Sequence, residues 1–341
     1  MTRRNTPFLI AEIAQAHHGS FRTALAYIDA LAPTGIDAIK FQTHIAEAES
    51  SIHEPFRIRF SNDKTRFDYW KRMEFTLDQW KQLKARCERH NMEFMSSPFS
   101  NAAVDLLEQM GVKRYKIGSG EVSNFLLLER IAQTGKPVIL SSGMSSFDEL
   151  NKTVAFLKLR EVPFSILQCT TSYPTRPENY GLNAIAELKQ RYHVPVGYSD
   201  HSATIETGIA AVTLGAEILE FHAVFDRAND PGPDASSSLE IPEISQLAKA
   251  VRKIGTALNN PVDKSSSDDF TELKGIFEKS LAINKNIAKG HILRFEDLEA
   301  KKPKGHGIDA MAFETVLGQK VNRSMNQWEF LNHSDIFNGK A

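Results

Sequence analysis

Two histidines, His201 and His222, stand at the ends of apolar runs and are candidate metal ligands. His201 follows VPVGYSD (194–200), and His222 lies within EILEFHAVF (217–225). Two imidazoles without a thiolate suit a divalent metal with open positions for water and substrate better than a closed structural zinc site. Asp200 is then a hydrogen-bonding partner of the site rather than a ligand. The alternative is that both histidines are packed core residues.

Two lysines, Lys40 and Lys116, lie at comparable places in two other apolar runs. Hydroxyl groups accompany them at further run ends, namely those of Ser97, Ser119 and Ser141. Two ammonium groups with convergent hydroxyl and backbone donors suit a phosphate or a carboxylate, with lysine acting as a point charge. The alternative is that each lysine only pairs with a carboxylate, that of Glu12 or Glu121.

Eight apolar, β-branched runs carry these side chains. They span 8–15, 37–43, 92–99, 114–120, 137–143, 164–171, 194–200 and 217–225. Near-continuous apolar runs are typical of parallel strands that are covered on both faces, and amphipathic helical patterns separate them. Eight β–α units within roughly 250 residues predict an α/β fold, a (β/α)8 TIM barrel, whose active site lies at the carboxyl ends of the strands.

An open, doubly wound sheet is the alternative fold. It would normally show a glycine-rich first turn, whereas AQAHHGS (14–20) contains one glycine. The helix starts are visible in the sequence. Capping boxes are expected at Thr76–Gln79 and Ser146–Glu149, and N-caps at Ser20, Ser100 and Ser202.

Composition excludes several classes of protein. The chain has 341 residues, 41% of them hydrophobic and 24% charged, with a formal net charge of −1. No basic surplus indicates nucleic-acid binding, and no apolar stretch approaches the ~18–20 residues of a membrane span. A signal peptide is not expected, and the two cysteines form no disulfide framework. We therefore expect a cytoplasmic protein without nucleic-acid or membrane partners.

The chain is expected to form two domains. The pattern predicts a barrel over 1–260, a linker rich in Pro, Ser and Asp over 261–274, and a small domain over 275–341. A long excursion over 41–75, carrying HEPFRIRF and FDYW, follows the second predicted strand. Loops of this length are often functional.

Eight ordered motifs resemble the sialic acid synthase family. They are IAEIAQAHHGS, IKFQTH, SSPFS, YKIGSGE, KPVILSSGM, CTTSYP, VGYSDHS and PGPD. The resemblance covers about 8–330, including a tail similar to the antifreeze-like (SAF) domain of these enzymes. It implies a (β/α)8 barrel that condenses phosphoenolpyruvate with an N-acetylmannosamine-type sugar. It also implies a divalent metal, manganese, with magnesium or cobalt as alternatives, and a homodimer that is domain-swapped through the SAF domain.

The resemblance also implies roles for individual residues. It gives metal ligation to His201 and His222. A phosphoenolpyruvate-binding role falls to Lys40, Lys116, Ser119, Ser141, Ser97, Ser199 and Thr171. A position around the sugar and the reacting carbons falls to Glu12, Gln42, Glu121, Tyr173 and Asp234. Catalysis is expected from Glu121, Glu12 and Lys116.

Some positions depart from the family pattern. Ala16 and His18 replace two asparagines of the first motif, and Lys302 stands where an arginine of the partner subunit reaches the sugar's N-acetyl group. Lysine lacks the planar fork of arginine. Two other acceptors are therefore alternatives to N-acetylmannosamine: a modified hexosamine, and a sugar without the acetamido group, such as mannose.

Two other functions compete with the synthase. One is a Schiff-base aldolase with Lys116 or Lys40 as nucleophile. The other is a non-catalytic sugar- or phosphate-binding protein that uses the SAF module as a partner surface. The paired histidines together with the paired lysines favour the synthase.

Overall fold

The computed structural model describes residues 6–56 and 62–337. Residues 57–61, which include the last four residues of the HEPFRIRF segment, lie outside the described residues. The eight predicted strands are confirmed. They are β1 Phe8–Ala14, β2 Ala38–Thr43, β3 Glu93–Pro98, β4 Tyr115–Ile117, β5 Val138–Ser141, β6 Phe164–Cys169, β7 Val196–Asp200 and β8 Ile218–Val224. A short strand, β9 Ser238–Glu240, pairs with β8.

Helices separate the strands. They are α1 Phe21–Leu31, α2 Ala46–Glu49, α3 Arg66–Met73, α4 Leu77–Arg89, α5 Asn101–Met110, α6 Phe125–Ala132, α7 Phe147–Leu159, α8 Ala184–Tyr192, α9 Ile205–Thr213 and α10 Ile241–Leu258. The excursion after β2 therefore contains two helices of its own, α2 and α3, before the regular barrel helix α4.

The strands form one parallel sheet in the order β3-β2-β1-β8-β7-β6-β5-β4. The two end strands, β3 and β4, lie against each other, so the sheet is nearly closed. This is the predicted TIM barrel, because an open doubly wound sheet would leave both end strands at free edges.

Alternation along the strands divides the barrel interior into two layers. One layer is an apolar cluster of Phe8, Ile10, Ala38, Met95, Ile139, Leu167 and Ile218. Side chains two residues further along a strand point to the same face. Glu12, Lys40, Ser97, Ser141 and Glu220 follow cluster members at this spacing. The same alternation that fills the barrel therefore places polar groups at the carboxyl ends of its strands.

The helix caps agree with the sequence at four of five expected positions. Thr76 with Gln79 and Ser146 with Glu149 form complete capping boxes. The side chains of Ser20 and Ser100 accept hydrogen bonds from the first turns of α1 and α5. The prediction for Ser202 is wrong: α9 begins at Ile205 with Thr204 as its N-cap residue. Ser202 instead donates to the Asp200 carboxylate, which draws it into the turn after β7.

The described structure separates into two compact units, 1–261 and 262–341. The second unit begins with α11 Thr271–Phe277 and contains an antiparallel pair, β10 Ser280–Ile283 and β11 Leu298–Lys301. Its own apolar cluster comprises Leu281, Ile283, Ile287, Leu293, Ile308, Val316, Val321, Met325, Leu331 and Ile336. Its assignment as an SAF domain, and the extent of the linker, stay predictions.

Candidate active site

A cavity of about 410 Å³ lies at the carboxyl ends of the barrel strands. All predicted site residues of the barrel line it. They are Glu12, Lys40, Gln42, Ser97, Lys116, Ser119, Glu121, Ser141, Thr171, Tyr173, Ser199, His201, His222 and Asp234. The barrel therefore brings together side chains that are spread over more than two hundred positions of the sequence.

Two buried ion pairs form the floor of this cavity. Lys116 Nζ lies 2.8 Å from Glu220 Oε1, and Lys40 Nζ pairs with the Glu12 carboxylate. Lys40 Nζ is also 3.9 Å from Glu220 Oε2, and Ser199 Oγ donates to Glu220 Oε1 at 2.9 Å. The sequence left ion pairing with Glu12 or Glu121 as the alternative to anion binding, and Lys40 does pair with Glu12. The partner of Lys116 is Glu220 and not Glu121.

The two carboxylates of these pairs differ in their electrostatics. Burial opposes ionisation of Glu220, but the charges of Lys116 and Lys40 outweigh it and lower the Glu220 pKa to about 2. Burial raises the pKa of Glu12 despite the attraction of Lys40. Neighbouring carboxyl groups whose pKa values are driven apart suit different tasks. Glu220 is suited to hold the lysines, and Glu12 is suited to exchange a proton.

The lysine side of the cavity contains a hydroxyl group that has no partner within the described structure. Ser141 Oγ is buried without a hydrogen-bond partner in the described structure. Gly143 follows in the same turn and brings the backbone close to two hydroxyls: a Cβ there would lie 2.4 Å from Thr171 Oγ1 and 2.5 Å from Ser119 Oγ. Buried polar groups are normally paired. These four residues, Ser119, Ser141, Gly143 and Thr171, form a hydroxyl-rich cradle. An oxygen-rich ligand beside Lys116 would give Ser141 Oγ the hydrogen-bond partner that it lacks.

The two imidazoles lie next to each other at the cavity, edge to face, with His201 directly after β7 and His222 on β8. Their ring centroids are 5.2 Å apart. His201 Nδ1 lies 2.9 Å from the Thr170 carbonyl oxygen, to which it can donate, leaving Nε2 as the ligating nitrogen. Asp200 was expected to be a partner of the site. Its carboxylate instead accepts hydrogen bonds from Ser202, and the Thr170 carbonyl orients the ring.

The donor set fits an open metal site. Burial lowers the pKa of His222 well below its usual value, so this imidazole is neutral. Burial also opposes protonation of His201, but the Cys169 side chain and the Thr170 carbonyl outweigh it and raise the pKa of His201. Protons and metal ions compete for such a ligand. Within 6–56 and 62–337, no group of three or more His, Cys, Asp or Glu side chains could hold a metal ion. Two protein ligands leave positions for water and substrate, and manganese stays a prediction.

Glu121 lies beside the cradle, in the turn that follows β4. Burial raises its pKa, although Asn124 Nδ2 donates to Glu121 Oε2 at 2.7 Å and opposes that shift. A carboxyl group with a raised pKa can take up or release a proton nearer to neutral pH.

Comparisons with known proteins agree with this geometry. The model of the NeuB family matches residues 27–263. The chain belongs to the NeuB family. Like the other members of this family that it resembles, it is an enzyme of the synthase class.

Two curated relatives cover nearly the whole chain. N,N'-diacetyllegionaminic acid synthase of Campylobacter jejuni is 33% identical over 95% of this chain and 98% of its own length. Human N-acetylneuraminate-9-phosphate synthase is 34% identical over 92% of this chain and 88% of its own length.

A solved structure agrees as well. The crystal structure of the N-acetylneuraminic acid synthetase of Leptospira borgpetersenii, in complex with citrate, is 34% identical. It matches 79% of this chain and 90% of that chain with a TM-score of 0.69.

Several cavity residues were given no role from the sequence, although Glu220 belongs to the polar residues at the strand ends. They are Gln15, His44, Glu49, Glu54, Arg66, Trp70, Phe99, Gly118, Gly120, Met144, Cys169, Glu220 and Pro233. Five of them, His44, Glu49, Glu54, Arg66 and Trp70, come from the excursion over 41–75. The length of that segment was the only sequence signal for them. Glu220 had a clearer signal, because it lies two residues before His222 on the same strand face.

Lys302 belongs to the second unit and is described there by itself. Its side chain is exposed, and Nζ lies 4.9 Å from the centroid of the Phe277 ring. Its predicted contact with a sugar in a partner subunit stays a prediction.

In the part of the chain that the structure describes, no helix is long and apolar enough to cross a membrane.

Proposed function

We propose that this enzyme condenses phosphoenolpyruvate with a hexosamine-type sugar to give a nine-carbon nonulosonic acid and phosphate. The observation that carries the proposal is that two buried lysines and the unpaired hydroxyl of Ser141 line the same cavity. The family relatives named for sialic and legionaminic acid synthesis support the product class.

The lysine end would bind phosphoenolpyruvate. Lys40 and Lys116 are balanced by Glu12 and Glu220 in the described structure. The phosphate and carboxylate of the substrate would share these ammonium groups and take up the hydroxyls of Ser97, Ser119, Ser141 and Ser199, with Thr171 at the edge. Charge-assisted hydrogen bonds of this kind are about twice as strong as neutral ones.

His201 and His222 would hold the divalent metal, for which we propose manganese. When bound, such an ion supplies Lewis-acid polarisation of a carbonyl oxygen. The chain's own residues orient that end: the Thr170 carbonyl holds the His201 ring, and Tyr173 packs on it with ring centroids 4.3 Å apart.

The reaction balances as follows. C3 of phosphoenolpyruvate bonds to the aldehyde carbon of the open-chain sugar as the C=O π bond opens and its oxygen takes up a proton. The enol π pair forms the new bond and leaves positive charge at C2, where water adds and loses a proton. The C2–O bond to phosphate then breaks, so one phosphate leaves for each water consumed. Glu121 would orient the water and accept its proton, with Glu12 as the second candidate. Lys116 and Lys40 would stabilise the negative charge of the departing phosphate.

The sugar would lie beside Gln42, Tyr173 and Asp234. We further propose that the enzyme is a homodimer in which Lys302 of the partner subunit completes the sugar end. Because lysine offers no planar fork, N-acetyl recognition would be weaker than with arginine. A hexosamine with a different substituent, or a mannose-type sugar, is the corresponding alternative acceptor.

The test measures phosphate release from phosphoenolpyruvate with metal present. The panel of acceptors is N-acetylmannosamine, a diacetamido-trideoxyhexose and mannose, and each product is identified by mass. We expect one acceptor to give a nine-carbon acid. Phosphoenolpyruvate labelled with ¹⁸O at the bridging oxygen should place the label in phosphate. Label retained in the product, or no phosphate with any acceptor, would overturn the proposal.

The Schiff-base alternative is tested in parallel. Lys116 donates to Glu220, and an ammonium held by a carboxylate is a poor nucleophile. We therefore expect no trapped adduct after treatment with pyruvate and borohydride. A mass increase on Lys116 or Lys40 would favour the aldolase.

A further inference from the structure

His44 is locked in place beside the cavity by aromatic stacking. Its ring lies between Trp70, at a centroid distance of 3.8 Å and an interplanar angle of 19°, and Phe99, at 4.4 Å and 13°. The residue is 6% exposed. Stacking on both faces fixes the plane of the ring, so its two nitrogens point in defined directions.

Both ring nitrogens of His44 meet oxygen atoms. Nδ1 lies 2.5 Å from Glu49 Oε1, and Nε2 lies 3.1 Å from Gln42 Oε1. The other Glu49 oxygen accepts from the Ile45 backbone N–H at 3.3 Å, which holds this carboxylate in the first turn of α2. The Glu49 carboxylate and the Gln42 amide oxygen can only accept, so both contacts form when each ring nitrogen carries a hydrogen and donates it.

The orientation of the Gln42 amide follows from these donors. Its Oε1 faces His44 Nε2 and also accepts from Gln15 Nε2. Its Nε2 consequently points the other way and donates to Glu12 Oε1 at 3.2 Å. A flipped amide would place its oxygen against the Glu12 carboxylate and its NH₂ group against two donors, losing three hydrogen bonds at once.

We propose that His44 is a positioning residue of the condensation. Held by Glu49, it fixes the amide of Gln42, and through that amide it fixes the Glu12 carboxylate. The effect that we expect on catalysis rests on the proposed function. Glu12 lies in register with Lys40 on β2 and with His222 on β8, so a shift of its carboxylate would disturb both neighbours.

The hydrogen bonds of Gln42 restrict which atom of the acceptor sugar can bind to it. Both lone-pair directions of Gln42 Oε1 are engaged, and one of the two N–H groups is used by Glu12. Gln42 can therefore offer the acceptor sugar a single N–H donor. The sugar atom that meets it must be an oxygen with a free lone pair, either a hydroxyl or an acyl carbonyl.

Two matched substitutions separate positioning from packing. The amide nitrogen of His44→Gln can occupy the place of Nε2, whereas that of His44→Asn falls near Nδ1. Both variants lose the stacked ring. We expect H44N to lower kcat and raise the acceptor KM, together about 10-fold or more, which corresponds to one hydrogen bond of about 1.4 kcal/mol. The KM for phosphoenolpyruvate should change less than about twofold, and H44Q should restore most of the loss.

Two results would contradict the positioning role of His44. Equal losses in H44N and H44Q, following the fall in melting temperature, would reduce His44 to a packing role. Wild-type kinetics in His44→Phe would overturn the positioning role outright.

A second measurement does not depend on activity. Neutron diffraction from the deuterated wild-type protein should show deuterium on His44 Nε2 and the Gln42 amide ND₂ group facing Glu12. A bare Nε2 or a flipped amide would overturn the inference, even if the proposed function were correct. If instead the deuterium atoms lie as expected and no acceptor reacts, the fault lies in the proposed function alone.

Discussion

The cavity has two parts that differ in origin and in burial. The strand part consists of Glu12, Lys40, Lys116, Glu220 and their neighbouring serines, all on barrel strands or directly after them. The excursion part consists of His44, Glu49, Glu54, Arg66 and Trp70, all from the segment over 41–75.

The two parts differ in the burial of their Lys or Arg ion pairs, although His44 and Trp70 of the excursion part are as buried as the strand part. The side chains of Lys116 and Glu220 are 3% and 5% exposed, whereas those of Arg66 and Glu54 are 17% and 34% exposed. A buried charge is costly unless it is paired, so the strand part must keep its ion pairs in register. The excursion part can change its partners at lower cost. The chemistry common to the family would then reside on the strands, and recognition of the acceptor would depend more on the excursion.

The largest effect is expected at the metal-binding edge of the strand part. His222→Ala should reduce metal-dependent turnover by more than about 100-fold, because even the outer partners of metal ligands contribute about 10–100-fold. Stripping the metal from the wild type should do the same. Phosphate release before and after metal is restored measures both. His53→Ala, at an exposed histidine, is the control and should keep full activity. Turnover by the metal-stripped wild type would contradict the metal role.

The second effect concerns the buried pair. Lys116→Met should abolish turnover and lower the free energy of unfolding by about 3–5 kcal/mol, because Glu220 would remain buried without its main partner. The double variant Lys116→Met, Glu220→Met should recover much of that stability without activity. Denaturant unfolding and phosphate release are the two measurements. A single variant as stable as the wild type would show that Glu220 does not depend on Lys116.

A smaller effect is expected in the excursion part. Arg66 lines the cavity, with its guanidinium 4.4 Å from the centroid of the Trp70 ring, and its Nε forms an ion pair with Glu54 Oε1 at 3.5 Å but no hydrogen bond in the described structure. Arg66→Ala should raise the acceptor KM about 10-fold, the size of one hydrogen bond to a charged group, and leave the KM for phosphoenolpyruvate unchanged. Steady-state kinetics with each substrate varied decides this. An equal rise in both KM values would show that the excursion part does not act on the acceptor alone.

The smallest effect lies away from both parts of the cavity. Ser146 caps α7, and its hydroxyl accepts from the Glu149 backbone N–H at 3.3 Å. Ser146→Ala should lower the free energy of unfolding by about 1 kcal/mol and leave kcat and both KM values unchanged. Thermal unfolding and steady-state kinetics provide the comparison. A kinetic change of the size expected for Arg66→Ala would mean that stability alone can produce it.

The strand part could be predicted from the sequence, and the excursion part could not. Apolar runs reveal strands, and the alternation within a strand reveals which polar residue shares a face with its neighbours, as with Lys40 and His222. The excursion has no such period. Arg66 and Trp70 reach the cavity because α3 packs beside the β2 end, which is a long-range contact that local patterns do not encode. Ser202 illustrates the local limit, because a carboxylate two residues away draws it from the cap it was expected to form.

The sequence by itself determined the eight strands, the barrel they form and the polar groups at their ends, because these depend on periods of two and 3.6 residues and on chain order. Only the tertiary structure decided which charges meet. Lys116 and Glu220 are 104 positions apart, and their pairing depends on the register and closure of the barrel. The orientation of the Gln42 amide likewise depends on Gln15, which donates to it, and Glu12, which accepts from it, 27 and 30 positions earlier in the chain. Such contacts are set by geometry between elements, about which the pattern within each element carries no information.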